Sequence, residues 1–307
     1  MAKMSDVELK AMLNAERQTA LGGTLASDLA TERSKALSYY NGDMSDDMPS
    51  QEGRSSAIST DVADTVDGLM PSLMEIFASG DQVVRFEPVG PEDEAAADQE
   101  TDYVNHVFMQ NNPGFFVLYT FIKDALLSKN GIVKVFWDKT DRYERETYLD
   151  QSDAAFTIMA SDPDAEIAEH TEHKDEDTGE TLHDITIIKR KNAGFAHVMN
   201  VPPEEFGISK FTRTIRDCNY CFHEPQNVTR LDLIEQGYDK AQVNSLPTYT
   251  LMNRQEQDAR STLHEDQTET DNLNKATGRV KVVEHYIRMD YENNGKPGLY
   301  RVTTGGE

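Results

Sequence analysis

Apolar residues recur along this chain with two periods, and the change from one to the other divides it. The N-terminal part is helical in spacing. Ser5 followed by Glu8 has the form of a capping box, and Leu9, Met12 and Leu13 share one face of the helix it opens. Gly22-Gly23 is expected to break that helix. A second helix carries Leu25, Leu29, Ala36, Leu37 and Tyr40 and stops at Asn41-Gly42-Asp43. Residues 43–57 are polar, contain Pro49 and Gly53, and read as a loop. Thr60 or Asp61 can cap a third helix striped with Val62, Val66, Leu69, Leu73 and Phe77, which Pro71 should kink or split and Gly80 end. Val83-Val84-Arg85-Phe86 reads as a short strand. The acidic stretch from Glu92 to Asp102 starts a helix that continues through Phe108 and stops at Asn111-Asn112-Pro113-Gly114. Phe115, Leu118, Tyr119, Ile122 and Leu126 mark the clearest amphipathic helix, which Asn130-Gly131 turns into a strand over 132–137.

Beyond this point the period shortens towards two. Candidate strands are Arg142–Leu149, Leu182–Lys189, Ala196–Val201 and Asn219–His223, followed by a short helix from Thr229 to Gln236 capped by Asn227 or Thr229. Residues 252–278 are polar and read as a mobile loop or an exposed helix. Strands Val280–Met289 and Gly298–Val302 close the chain around a turn at Asn293-Asn294-Gly295. The fold class is α+β. Its expected parts are a helical region (1–80), a helix–strand core (81–138), a β-rich region (139–251), a polar segment (252–279) and a terminal hairpin (280–307). No internal repeat is evident.

Charge narrows the function. With 30 Lys plus Arg against 55 Asp plus Glu, the 307 residues carry a formal charge of −25. Such a surface repels the phosphate backbone, which is held through Lys and Arg clusters. Tight, sequence-reading DNA binding is therefore not expected. Residues 141–184 hold 15 acidic and 3 basic residues, a net −12, which reads as the solvated face of a β layer with acidic loops. Two cysteines make no disulfide framework and suit a reducing compartment. The N-terminus lacks the apolar core of a signal peptide, and no apolar run reaches the length of a membrane span.

Candidate chemistry is sparse. Cys218 and Cys221 have C-x-x-C spacing with His223 and His197 in range, but no second knuckle exists and a strand would point the two thiols to opposite faces. Asp290-Tyr291-Glu292-Asn293-Asn294-Gly295 begins like a calcium loop, yet its twelfth position is Arg301, so an ordinary hairpin turn is expected. His170 and His173, with Glu166, Glu169 and Glu172, could suggest a metal cluster but read as a solvated loop. Lys189-Arg190-Lys191 reads as a strand end rather than a DNA patch. G-x-S-x-G, G-x-x-x-x-G-K-[ST] and G-x-G-x-x-G are absent. No catalytic, cofactor-binding or metal residue is assigned, and no enzyme activity or cofactor is expected.

One ordered set of segments is more specific: Ser38-Tyr39-Tyr40-Asn41-Gly42, Gly53-Arg54-Ser55-Ser56, Thr60-Asp61-Val62 leading to Leu69-Met70-Pro71-Ser72-Leu73, the residues around Val83–Phe86, and Asp124 to Val135. The stretch Asp217–His223, the run Leu233 to Asp239 and the pair around Asp290–Gly295 continue it. This order resembles the N-terminal half of phage portal proteins of the short-tailed, P22-like group, over roughly residues 30–300. The resemblance implies the wing part of a subunit in a ring, usually of twelve copies, at one capsid vertex in the virion, assembled in the host cytoplasm. Its implied partners are the major capsid protein, the terminase large subunit, head–tail adaptors, and double-stranded DNA passing through without sequence-specific binding; no membrane is involved. It also implies that stem helices, a clip and a crown follow Glu307, so docking and channel residues are assigned to no position here. The alternatives are another head–tail connector component or a metal-dependent hydrolase using some of the many carboxylates.

Overall fold

The computed structural model describes residues 3–24, 28–45, 47–48, 53, 55, 58–80, 82–139, 142–174, 181–191, 194–210, 212–247 and 278–306. The expected segment 252–278 falls, apart from Gly278, outside these residues. The chain forms two compact units, one made of Met1–Phe136 with His197–Glu307, the other of Trp137–Ala196.

In the larger unit the capping box forms: Ser5 N donates to Glu8 Oε2 (3.0 Å) and Glu8 N to Ser5 Oγ (3.4 Å). It opens α1, Asp6–Thr24. This helix runs through Gly22-Gly23 instead of breaking before them, since two glycines near a helix end cost only about 1 kcal/mol each. Helix α2 (Asp28–Tyr40), helix α3 (Asp61–Ala78) and helix α5 (Gly114–Ser128) pack together. Leu37, Val66 and Leu127 bury one contact, and Met70, Met74 and Ile122 another. Pro71 does not split α3, which is continuous. The burial of Met70 and Met74 on either side offsets the missing amide bond. Polar ties reinforce the bundle. Arg33 Nε donates to Ser128 O (2.8 Å) at the end of α5, and Tyr40 Oη donates to Asp67 (2.9 Å).

Helix α4 (Glu94–His106) ends in a widened turn over Val107–Asn111. Asn112 makes the expected stop specific: its Nδ2 donates to Val107 O (2.8 Å) while its Oδ1 accepts from Val198 N (2.9 Å). The expected strand at Val83–Phe86 does not form. Its peptide groups bond to side chains of α4 instead of a neighbouring strand. Asn105 Oδ1 accepts from the amides of Val83 (2.7 Å) and Val84 (3.1 Å), Asn105 Nδ2 donates to Val84 O (2.7 Å), and Thr101 Oγ1 accepts from Phe86 N (2.9 Å). A buried Asn thus supplies the donor and acceptor that a strand partner would supply.

Strand β1 (Val133–Asp138) pairs with β5 (Phe195–Asn200). Strands β6 (Phe206–Ile208), β7 (Tyr220–His223), β8 (Val282–Met289) and β9 (Gly298–Gly305) form an antiparallel sheet in that order. Alternation sorts its residues. Tyr220, Phe222, Val283, Ile287 and Met289 share one face and bury Leu13 and Ala20 of α1. Gly207 lies opposite Phe222, whose ring occupies the place a Cβ at 207 would need. Helix α7 (Arg230–Glu235) is capped by Thr229, whose Oγ1 accepts from Asp232 N (3.2 Å), and α8 (Lys240–Ser245) by Asp239. Leu233 and Val243 from these helices pack on Val280 and Val282.

The smaller unit holds β2 (Arg142–Ser152), α6 (Asp153–Ala160), β3 (Ala165–Lys174) and β4 (Thr181–Lys191). The antiparallel order is β2–β4–β3, with Ile185 and Ile187 of the central strand buried. Sequence reading missed α6, β3, the short β6 and α8.

Replacing Asn105 tests the side-chain substitute for a strand. Asn105→Ala is expected to lower the unfolding free energy by about 2 kcal/mol, the cost of leaving buried peptide groups unpaired, seen as an earlier urea midpoint. Asn105→Asp, which keeps the acceptor and loses the donor, should recover only part of the loss. An unchanged midpoint in Asn105→Ala would contradict the assignment.

Candidate functional site

The second face of the four-stranded sheet carries charge. His223 of β7 stands opposite Glu284 of β8 in the register. His223 Nδ1 lies 3.4 Å from Glu284 Oε2, and its Nε2 lies 3.3 Å from Glu205 Oε2. Lys134 of β1 pairs with Glu284 Oε2, and Arg301 of β9 approaches Glu284 Oε1 at 3.6 Å. Tyr286 Oη donates to Glu284 as well (3.1 Å). The side chains of His223, Glu284, Lys134 and Glu205 are all largely buried. Such a group survives burial only because each charge meets a partner.

On the first face, beyond β7, Arg17 of α1 meets Glu224 at 2.5 Å, with both side chains buried and Lys281 3.7 Å from Glu224. Tyr220 Oη and His285 Nδ1 are 2.8 Å apart, and His285 Nε2 lies 2.9 Å from Thr304 Oγ1. Several of these pairs join residues far apart in the chain (207 residues for Arg17–Glu224, 150 for Lys134–Glu284, 61 for His223–Glu284). No local spacing in the sequence signals them.

The residues singled out from sequence fall into place differently. Cys218 ends a 3₁₀ turn (Ile215–Asp217) rather than sitting on a strand, so the expected divergence of the two thiols fails. Cys218 Sγ donates to Tyr220 O (2.8 Å) and also contacts the Cys221 thiol, whose pKa burial pushes up to about 12. A thiol so held is a poor nucleophile and a poor metal ligand. His223 is committed to the carboxylates, and His197 packs edge-on against Phe136 at 5.2 Å. Asp290 closes the β8–β9 turn by accepting from Asn294 N (3.0 Å) and Gly295 N (2.6 Å), with Asn293 at φ 56° and Gly295 at φ 78°. The hairpin forms as expected, and Arg301 belongs to β9. Lys189, Arg190 and Lys191 end β4, as expected, and Lys189 lies 3.5 Å from Glu146.

The histidine segment is the larger correction. Glu166, Glu169, His170, Glu172 and His173 are not in a loop; they lie on β3, paired to β4. Their exposed carboxylates occupy the edge strand of the sheet, where charge discourages pairing with another chain. The described residues contain two His–carboxylate groups close enough to share an ion: His170, Glu172 and His183, and Asp150, His173 and Asp184.

The remaining surface of the larger unit exposes large apolar side chains: Leu69, Ile76 and Phe77 of α3, Phe115 and Phe116 of α5, and Val135 of β1. Among the described residues no helix is long and apolar enough to cross a membrane.

The buried charges fix a pH dependence. Burial works against ionisation of Glu284, but hydrogen bonds from His223 and Lys134 outweigh it and hold its pKa at about 2, below the ordinary 4.5. Burial likewise opposes the charge on His223, yet its bonds to Glu205 and Glu284 raise its pKa above 6.5. Stability from Glu284 is complete above pH 4.5 and is lost as pH falls towards 2. Stability from His223 is complete below pH 6.5 and is lost as pH rises through its raised value. The network is therefore most stabilising between these limits. Glu284→Gln should cost about 3 kcal/mol within that window and flatten the acid limb of the stability curve, measured by urea unfolding across pH. An acid limb as steep as that of the parent would contradict this.

No curated relative matches the chain. A family does: residues 9–307 match the family described as Phage SU10 portal protein. The match takes in the helical bundle, both sheets of the larger unit and the whole smaller unit. Portal family proteins are structural and not enzymes. The chain belongs to the phage SU10 portal protein family.

Proposed function

We propose that this chain forms part of a portal ring, usually of twelve copies, at one vertex of a phage capsid, and that DNA enters and leaves through the ring. The family match over residues 9–307 carries this reading. In it the ring receives the terminase large subunit during packaging, then head–tail adaptors, and contacts the major capsid protein around its rim. In this reading the chain supplies the wing of a subunit of the short-tailed, P22-like kind, a reading supported by the order of segments in the sequence. The formal charge of −25 supports a conduit role, since phosphates are repelled rather than gripped. The exposed Leu69, Ile76, Phe77, Phe115 and Phe116 support a subunit that buries more surface in an assembly than alone. Neighbours in a closed ring meet through heterologous contacts related by rotation.

Negative-stain microscopy of the full-length gene product tests the assembly. Closed rings with a central opening wide enough for duplex DNA are expected. Monomers alone across a wide range of concentration and salt would contradict the proposal. The same preparation should show no measurable retention of duplex DNA at physiological ionic strength, and tight retention would contradict the conduit role.

A further inference from the structure

We propose that the smaller unit holds a divalent transition-metal site of the zinc class, with His170 Nε2, His183 Nδ1 and the Glu172 carboxylate as its ligands. The register builds it. Glu172 of β3 stands opposite His183 of β4, and His170 lies two residues along β3, so all three project from one face of the paired strands. Their ligand atoms lie within 4.8 Å of one another.

The two imidazoles are already set for a shared ion. His170 Nε2 and His183 Nδ1 are 2.9 Å apart, while the ring centroids are 5.1 Å apart with planes inclined by 23°. The rings therefore meet edge to edge through these two nitrogens. Phe156 of α6 lies nearly parallel to both, at 4.5 Å from His170 and 4.7 Å from His183, and holds them in a common plane. Asp153 fixes the tautomer: its Oδ1 is 2.5 Å from His183 Nε2, so that nitrogen carries the proton and Nδ1 presents its lone pair towards His170. A carboxylate bonded to the far nitrogen of an imidazole is the usual outer support of a metal-bound histidine.

Metal chemistry selects the class. Two imidazole nitrogens and one carboxylate suit zinc and its neighbours, whereas magnesium and calcium prefer oxygen alone. Tetrahedral zinc–nitrogen bonds of about 2.0–2.1 Å separate two ligating nitrogens by about 3.3 Å. The nitrogens need to part by a few tenths of an ångström and the rings to tilt until their lone pairs converge on the ion, which replaces the proton shared between them. His183 is buried, but His170 and Glu172 are exposed, which gives the ion an entry path and leaves a coordination position for water. The bound ion would brace the edge strand β3 against β4.

The second group supplies an internal control. His173 Nε2 faces Asp150 Oδ1 at 3.0 Å, and its Nδ1 faces Asp184 Oδ2 at 3.8 Å. The two carboxylates address opposite nitrogens of one ring, so an ion would have to displace one of these contacts, and with a single imidazole nitrogen among carboxylate oxygens this group is the weaker candidate for zinc.

The test is calorimetric titration of Zn²⁺ into untagged, chelator-stripped protein, with Co²⁺ absorption as a second readout. One zinc per chain at micromolar affinity or tighter is expected, with the visible absorption of tetrahedral Co²⁺. His170→Ala should weaken zinc binding at least 100-fold and Glu172→Gln at least 10-fold, while His173→Ala should leave it unchanged. His170 and Glu172 are exposed, so these variants keep the fold, and their unfolding midpoints without metal check this. Absence of zinc binding in the parent, equal binding in His170→Ala, or equal loss in His173→Ala would each overturn the site.

Discussion

In a chain with nearly two acidic residues for each basic one, the buried carboxylates of Glu224 and Glu284 are each met by a cation, and these contacts organise the sheet of the larger unit. Arg17 reaches Glu224 at 2.5 Å across 207 residues of sequence and so joins α1 to the end of β7. The apolar seam of Leu13 and Ala20 against Tyr220, Phe222 and Ile287 depends on that placement, since the same helix supplies both contacts. On the opposite face Lys134 and Arg301 neutralise Glu284, and His223 bridges Glu284 to Glu205. Strands β1, β7, β8 and β9 are thereby linked through one carboxylate.

The sequence made the helices legible because their signals are local. The capping box at Ser5–Glu8, the cap at Thr229, the stop at Asn112 and the stripe of α5 are each read within a few residues. It failed where a distant or unusual partner decides the outcome. Val83–Phe86 has strand composition, but Asn105 and Thr101 satisfy its backbone before another strand can. Strand β3 was obscured because its residues, Glu166 to Lys174, are mostly polar on both faces, as an edge strand allows. With no alternation of apolar residues, only the neighbouring β4 reveals it. His183 carried a faint signal, at an inward position two residues before Ile185 in an alternating strand, but Asp153 and His170 could not be assigned to it from spacing. The ion pairs of the larger unit were invisible for the same reason.

Family membership and the distribution of polar groups can be set side by side. Buried ion pairs tie the sheet of the larger unit, while acidic residues and apolar helix faces are exposed. That division, a tied interior and an apolar outer face, suits the assembly role proposed above. A formal charge of −25 favours solubility and repels phosphates, which is why it supports the conduit role proposed above.

An asymmetric cryo-microscopy reconstruction of the virion tests the central claim most directly. The account predicts density for this helix-and-sheet fold, repeated around an axis, at a single capsid vertex, with the sheet β6–β9 and α1 recognisable in each copy. The same fold at every vertex, or nowhere in the virion, would contradict it.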